Sequence, residues 1–292
     1  MISKDTLFST KQTIHCRGRL IDLSTPCVMG ILNVTPDSFF DGGRYINEEE
    51  IISRTSAMLS EGADIIDIGA YSSRPDAADI TFEVEKERLK RALKIIRQSF
   101  PDALISVDTY RAAIAELVVG EFGVAIINDI SSGLLDDKMI SAIGKMKIPY
   151  IMMHMQGTPQ NMQKNPKYHD VTRELLSFFA ERIDIAHKAG IEDLIIDPGF
   201  GFGKTLQHNF ILLHELGLFT MLGLPIMVGI SRKSMICKSI HVTPEAALNG
   251  TSVLNTLALN NGAKLLRVHD VKEAREAVRL FTIYQDASKI IG

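Results

Sequence analysis

The sequence predicts an α/β chain of the (β/α)8 TIM barrel type with a short N-terminal β-hairpin. Three observations predict it. From residue 28 onward, short apolar runs alternate with longer amphipathic stretches, giving eight units. The runs are nearly continuous, as in IIDI, ALISV and VAIIN, which is how strands buried on both faces of a parallel sheet read. The 292 residues suit one such barrel, which takes roughly 250. One domain covering residues 1–292 is therefore expected. An open doubly wound sheet is the competing architecture, because periodicity alone does not prove closure.

The expected strands are Val28 to Leu32, Asp64 to Ile68, Leu104 to Val107, Val124 to Ile127, Tyr150 to Met153, Leu194 to Ile196, Ile226 to Ile230 and Leu265 to Val268. Helical periodicity follows each of them. The helices are expected at Glu48 to Glu61, Glu83 to Gln98, Arg111 to Gly120, Asp136 to Lys145, Val171 to Lys188, Leu206 to Leu216, Pro244 to Leu259 and Val271 to Lys289. Ahead of the first unit, Thr13 to Leu23 alternates around Gly18. It reads as a hairpin able to plug the N-terminal end of the barrel.

Composition narrows the function classes. Hydrophobic residues are 46% and charged residues 23%, so a packed core is available. A net charge of -3 offers nothing to nucleic acid or an anionic membrane. No apolar run approaches a membrane span, and the first residues lack the apolar stretch of a signal peptide, so a cytoplasmic protein is expected. Cys16, Cys27 and Cys237 have no CxxC spacing and read as plain thiols.

In this fold, chemistry gathers at the C-terminal strand ends. Here every strand delivers a polar residue there: Asn33, Asp67, Asp108, Asn128 with Asp129, His154, Asp197, Ser231 to Lys233, and Arg267 with His269 and Asp270. The loops at 35–43 and 69–77 carry Phe39, Tyr71 and Arg74 among turn residues, and read as lids over a substrate. The DPGFGFGKT stretch fails the Walker pattern at Pro198 and the dinucleotide pattern at Lys204. Its glycines are expected to let backbone approach a flat ligand, with Phe202 on its face. Arg232, Lys233, Arg267 and His269 form a candidate anion site, whereas Asp108, Asn128 and Asp197 are candidates to read a donor-rich heterocycle. A two-ended ligand follows. Asp129 reads as structural, Met152, Met153 and Met155 as core, and Glu83 to Arg91 as a solvated helix face. His154 reads equally as rim scaffold or site residue.

Seven segments, in this order along the chain, together resemble the dihydropteroate synthase family. They are MGILNVTPDSFFDGG (29–43), the SRP-containing second loop, SVDT (106–109), IINDIS (126–131), DPGFGFGK (197–204), GISRKSM (229–235) and RVHDV (267–271). The resemblance implies condensation of 6-hydroxymethyl-7,8-dihydropterin diphosphate with 4-aminobenzoate in folate biosynthesis, with Mg2+. It also implies a homodimer through the last two helices and a sulfonamide target. By position, Asp108, Asn128, Asp197 and Lys233 would hold the pterin, and Asn33 would sit at the magnesium and diphosphate. Arg267 and His269 would bind the diphosphate. Ser73, Arg74 and Asp37 would complete the closed site, with Asp37, Arg74 and Lys233 as catalytic groups. Phe39, Phe202, Lys233 and Ser234 are candidates for the aminobenzoate pocket.

The second loop departs from the family. Where an acidic residue and Ser-Thr-Arg-Pro are expected, the chain reads Tyr71-Ser72-Ser73-Arg74-Pro75, followed by Asp76 in place of a glycine. Two rival readings share the pterin-reading groups. A methyltransferase using methyltetrahydrofolate and a corrinoid protein has no need of the TPDSF loop. A noncatalytic pterin binder has no need of Asn33, Asp37, Arg74, Lys233, Arg267 and His269 together.

Overall fold

The structure is a computed structural model that describes residues 11–35, 40–41, 45–71 and 80–290. β1 (Thr13–Cys16) and β2 (Arg19–Asp22) pair antiparallel. Their turn is Arg17-Gly18, with φ of 51° and 77°. Two left-handed residues make a type I′ turn, whose twist matches the strands it joins.

The barrel strands are β3 (Cys27–Asn33), β6 (Ile65–Gly69), β7 (Ile105–Asp108), β8 (Ile126–Asp129), β9 (Tyr150–Met153), β10 (Leu194–Asp197), β11 (Met227–Val228) and β12 (Leu265–Val268). Between β3 and β6, the short strands β4 (Phe40–Asp41) and β5 (Tyr45–Ile46) pair antiparallel. The helices are α1 (Glu48–Ser60), α2 (Phe82–Ser99), α3 (Ala112–Phe122), α4 (Met139–Met146), α5 (Val171–Lys188), α6 (Leu206–His214), α7 (Ser234–Ile240), α8 (Leu248–Asn260) and α9 (Val271–Ile290).

The eight barrel strands are all parallel, in the order β10-β9-β8-β7-β6-β3-β12-β11. A parallel bridge from Ile196 to Ile226, one residue before β11, joins the two ends. That bridge decides for the closed barrel over the open sheet.

Alternate strand residues divide between two cores. Val28, Leu32, Ile66, Ile68, Val107 and Ile127 face the helices. Met29, Ile65, Ile126, Ile151, Ile195, Met227 and Leu265 fill the barrel, where Ile14, Cys16 and Leu23 of the hairpin segment join them. The hairpin therefore plugs the N-terminal end, as the sequence suggested. Gly30 marks a close approach, since a Cβ there would lie 2.7 Å from the Met58 sulfur. No helix among the described residues is long and apolar enough to cross a membrane.

The structure corrects several expectations. The seventh strand is only two residues long. Pro225 on one side and Gly229 on the other end the ladder there. The seven-residue α7 was not expected, because it is short and starts at Lys233 without a side-chain cap. Thr243 to Ala247 closes as turns, so α8 begins at Leu248 and not at Pro244. Asp136 does not start a helix; its carboxylate accepts the Ala112 N–H at 2.8 Å and so caps α3. Glu85 is no solvated residue. It is fully buried, paired with Arg111, and accepts the Thr109 hydroxyl at 2.7 Å.

Candidate active site

Above the apolar fill, the inward positions turn polar. Asp67 on β6, Asp108 on β7, Asn128 on β8 and Asp197 on β10 are all buried. Arg267 reaches them from β12. Its Nε donates to Asp67 Oδ2 at 2.6 Å and its Nη2 to Asp108 Oδ2 at 2.9 Å. Asn128 Nδ2 also donates to Asp67 Oδ2, at 3.1 Å, and the Tyr71 hydroxyl donates to Asp108 Oδ1 at 3.1 Å. Asp67 Oδ1 is buried with no hydrogen-bond partner among the described residues. A buried carboxylate oxygen without a donor is costly, so this layer is built to accept N–H groups from a guest.

Burial pushes the Asp108 carboxyl up to about 7, against the pull of Arg267. It also raises Asp197, which accepts the Gly199 N–H at 2.8 Å. Burial lowers the Lys233 ammonium to about 8, with Asp197 acting in the opposite sense. Burial works against the Arg267 charge too, but Asp67 and Asp108 outweigh it and the guanidinium stays protonated.

The loop after β10 forms the next wall. Lys233 Nζ donates to the Phe200 carbonyl at 2.5 Å and lies 4.6 Å from the Phe202 ring centre. Lys204, only 3% exposed, holds this loop from within. Its ammonium donates to the carbonyls of Gly199 and Phe202, both at 3.0 Å, and of His154 at 3.3 Å. Two of the loop's glycines serve this packing. Gly199 has φ 71°, and a Cβ there would stand 2.0 Å from the His154 carbonyl oxygen; Gly203 approaches the Gln156 backbone in the same way. His154 is scaffold: it meets Lys204 and the Phe178 ring edge-on, and burial pushes its imidazole down to about 2. Met152 is core, whereas Met153 and Met155 form a small cluster against Tyr71, Tyr110 and Phe202. Asp129 is structural, accepting the Tyr150 hydroxyl at 2.5 Å and the N–H groups of Ser131 and Gly133.

The four expected cations are engaged to different degrees. Arg232 turns outward with φ 55° and grips Asp270 through two bonds of 2.9 and 2.6 Å. Arg267 is held by its two carboxylates. His269 Nδ1 lies 3.1 Å from Ser231 Oγ, and burial, helped by Arg267, lowers its pKa to about 4, so it is neutral at pH 7. Ser234 opens α7 and is exposed. Asn33 and His269 instead line a cleft of about 490 Å3 with Ile31, Glu50, Ser53, Arg54 and Ala57. Asp37, Phe39, Ser73 and Arg74 lie outside the described residues.

The chain that carries this constellation has known relatives. The pattern that defines the pterin binding enzymes matches residues 29–269. A dihydropteroate synthase from Escherichia coli K12 is 44% identical over 269 residues, covering 91% of this chain and 94% of its own length. The chain belongs to the dihydropteroate synthase family. A Yersinia pestis dihydropteroate synthase, solved in a sulfonamide drug complex, superposes with a TM-score of 0.88 at 41% identity, covering 94% of this chain and 99% of that one. The Xanthomonas albilineans dihydropteroate synthase, solved with 4-aminobenzoic acid, gives 0.85 at 36% identity, again over 94% and 99%.

Within this family member, three residues have roles that sequence reasoning did not assign them. Asp67 was seen as a strand end but not as a pocket group. Its burial beside Arg267 could only come from the strand register. Lys204 looked like the end of a failed phosphate motif. Tyr71, where an acidic residue was expected, donates to Asp108.

Proposed function

We propose that this chain condenses 6-hydroxymethyl-7,8-dihydropterin diphosphate with 4-aminobenzoate, forming 7,8-dihydropteroate and diphosphate. The observation that carries the reading is the buried layer of Asp67, Asp108, Asn128 and Asp197, with one carboxylate oxygen left without a donor among the described residues. An aminopyrimidinone ring supplies the adjacent N–H donors such a layer accepts, each charge-assisted bond adding roughly 1.5–3 kcal/mol.

The chemistry then needs no activated nucleophile. The C–O bond from the pterin methylene to the diphosphate breaks, and its electron pair leaves with the oxygen. The carboxylates of the pocket favour the resulting cation, which is delocalised into the ring. The amine nitrogen of 4-aminobenzoate attacks the methylene carbon, forms the C–N bond and loses a proton. Phe202 and Lys233 would hold the aminobenzoate, and Ser234 at the start of α7 would reach its carboxylate. Asp37 and Arg74 are assigned to the cation and the leaving group from the family motifs.

We assign Mg2+ to Asn33. The residues fit it, because this cation takes hard oxygen ligands and is commonly held by one or two protein oxygens together with substrate phosphates. Among the described residues no three acidic, histidine or cysteine side chains gather to form a closed protein cage, which suits that mode. When bound, the cation neutralises charge on the departing diphosphate.

Two further assignments belong to this reading. A homodimer is supported by an apolar face on the last two helices. Val253 and Leu257 on α8 are about half exposed, and Leu280, Ile283 and Tyr284 on α9 are 69%, 66% and 70% exposed. Cytoplasmic residence is supported by Cys16 and Cys27, which share the barrel core as free thiols.

Calorimetric titration with 6-hydroxymethylpterin tests the pocket assignment. Binding to the wild type, weakened at least about tenfold in Asp197→Asn, is expected. Equal binding by both proteins would contradict it.

A further inference from the structure

We propose that Arg54, on the helix after the first barrel strand, binds the diphosphate end of the substrate. The inference rests on the reading above and adds a residue to it. A diphosphate carries several negative charges and calls for cations within hydrogen-bond reach. The basic residues of the last two strands are each partly engaged here, which leaves room for a further cation at the cleft. Arg232 is turned onto Asp270, Arg267 is held by Asp67 and Asp108, His269 is neutral at pH 7, and Lys233 points to the Phe200 carbonyl.

Arg54 is differently placed. It lines the cleft with Asn33, Ser53 and His269. Its Nη2 donates to the His269 carbonyl at 2.5 Å, which ties the guanidinium to the rim of the barrel. That is one of five donors an arginine carries. Among the described residues no carboxylate pairs with it, and the His269 carbonyl is the one hydrogen-bond partner of its side chain. Glu50, the one acid among the described residues that line the cleft, is exposed one turn earlier on α1 and does not pair with it. Solvent screens that charge, so it opposes an anion only weakly. The planar fork of Arg54 suits two phosphate oxygens at once.

The test uses the full-length protein and two probes, inorganic diphosphate with Mg2+ and 6-hydroxymethylpterin, which lacks the diphosphate. Glutamine at position 54 keeps an N–H for the His269 carbonyl but removes the charge. Arg54→Gln should raise the Kd for magnesium diphosphate about tenfold or more and leave the pterin Kd within twofold. Arg54→Lys should recover part of the diphosphate affinity as a point charge. Diphosphate affinity unchanged in Arg54→Gln would overturn the proposal, provided the wild type binds both probes. Equal loss of both probes would overturn it too, by making Arg54 a support for the rim and not a ligand. A wild type that binds neither would sink the functional reading itself, and Arg54's role with it.

Discussion

Arg267 Nη2 lies 2.9 Å from Asp108 Oδ2, and the same guanidinium spans to Asp67 at 2.6 Å, so one cation on β12 bridges two carboxyl groups on neighbouring strands. All three groups are largely shielded from water. Removing the cation leaves two like charges buried together. Arg267→Met should destabilise the protein by about 3–5 kcal/mol in urea unfolding. Adding Asp108→Asn should recover part of that loss, because the two changes share one network. Strict additivity would show that the pairing carries no coupling energy.

Asp108 also gives stability a pH dependence of known sign. Its folded carboxyl is raised from 3.8 to about 7, so between these values the native state holds a proton that the unfolded state has lost. Stability from this group therefore falls as pH rises from about 4 to 7 and then levels off. Urea midpoints at pH 5, 6, 7 and 8 should shift in favour of Asp108→Asn relative to the wild type across that window. A constant difference between the two proteins would show that Asp108 is ionised throughout.

Tyr71 supplies the hydroxyl on the other Asp108 oxygen. That bond favours the charged carboxylate, so Tyr71→Phe should move the Asp108 titration to higher pH. The acidic limb of kcat/KM against pH should follow it upward. An unmoved limb would mean that Asp108 does not set it.

Much of this was legible in the sequence, for identifiable reasons. Strands buried on both faces announce themselves as apolar runs, and Tyr150–Met153 and Leu265–Val268 fall where they were expected. Strand-end polar residues are likewise visible, which is how Asp108, Asn128 and Asp197 were found. What a one-dimensional pattern does not contain is direction and partner. Arg232 and Lys233 are adjacent in sequence, yet the left-handed backbone at Arg232 turns it outward while Lys233 points in. Charge state is also hidden, since the neutrality of His269 comes from burial and from Arg267, which lies two residues away. Arg54 sits in an ordinary amphipathic helix and acquires meaning only through the cleft that α1 shares with β3.

Lys204 offers a test of positioning as opposed to chemistry. It binds the Gly199 and Phe202 carbonyls of the loop that carries Phe200 and Phe202, and the His154 carbonyl beside it. Lys204→Met keeps the bulk and strands those carbonyls, at a cost of about 1–3 kcal/mol for a buried unsatisfied group. KM for 4-aminobenzoate should rise several-fold while 6-hydroxymethylpterin binding changes little. A fall in kcat at unchanged KM would assign Lys204 to the chemical step instead.

Lys233 should behave otherwise, because it faces the pocket directly. Lys233→Ala should lower kcat/KM more than tenfold, roughly 1.4 kcal/mol or more of transition-state stabilisation. Wild-type kinetics in that variant would remove Lys233 from the site.

The most direct test of the central claim is diphosphate release by the purified protein, given the pterin diphosphate and Mg2+, with and without 4-aminobenzoate. The account predicts release that depends on 4-aminobenzoate and matches 7,8-dihydropteroate formed, mole for mole. Tight pterin binding with no release under either condition would contradict it, and would leave a pterin-binding barrel that does not catalyse the condensation.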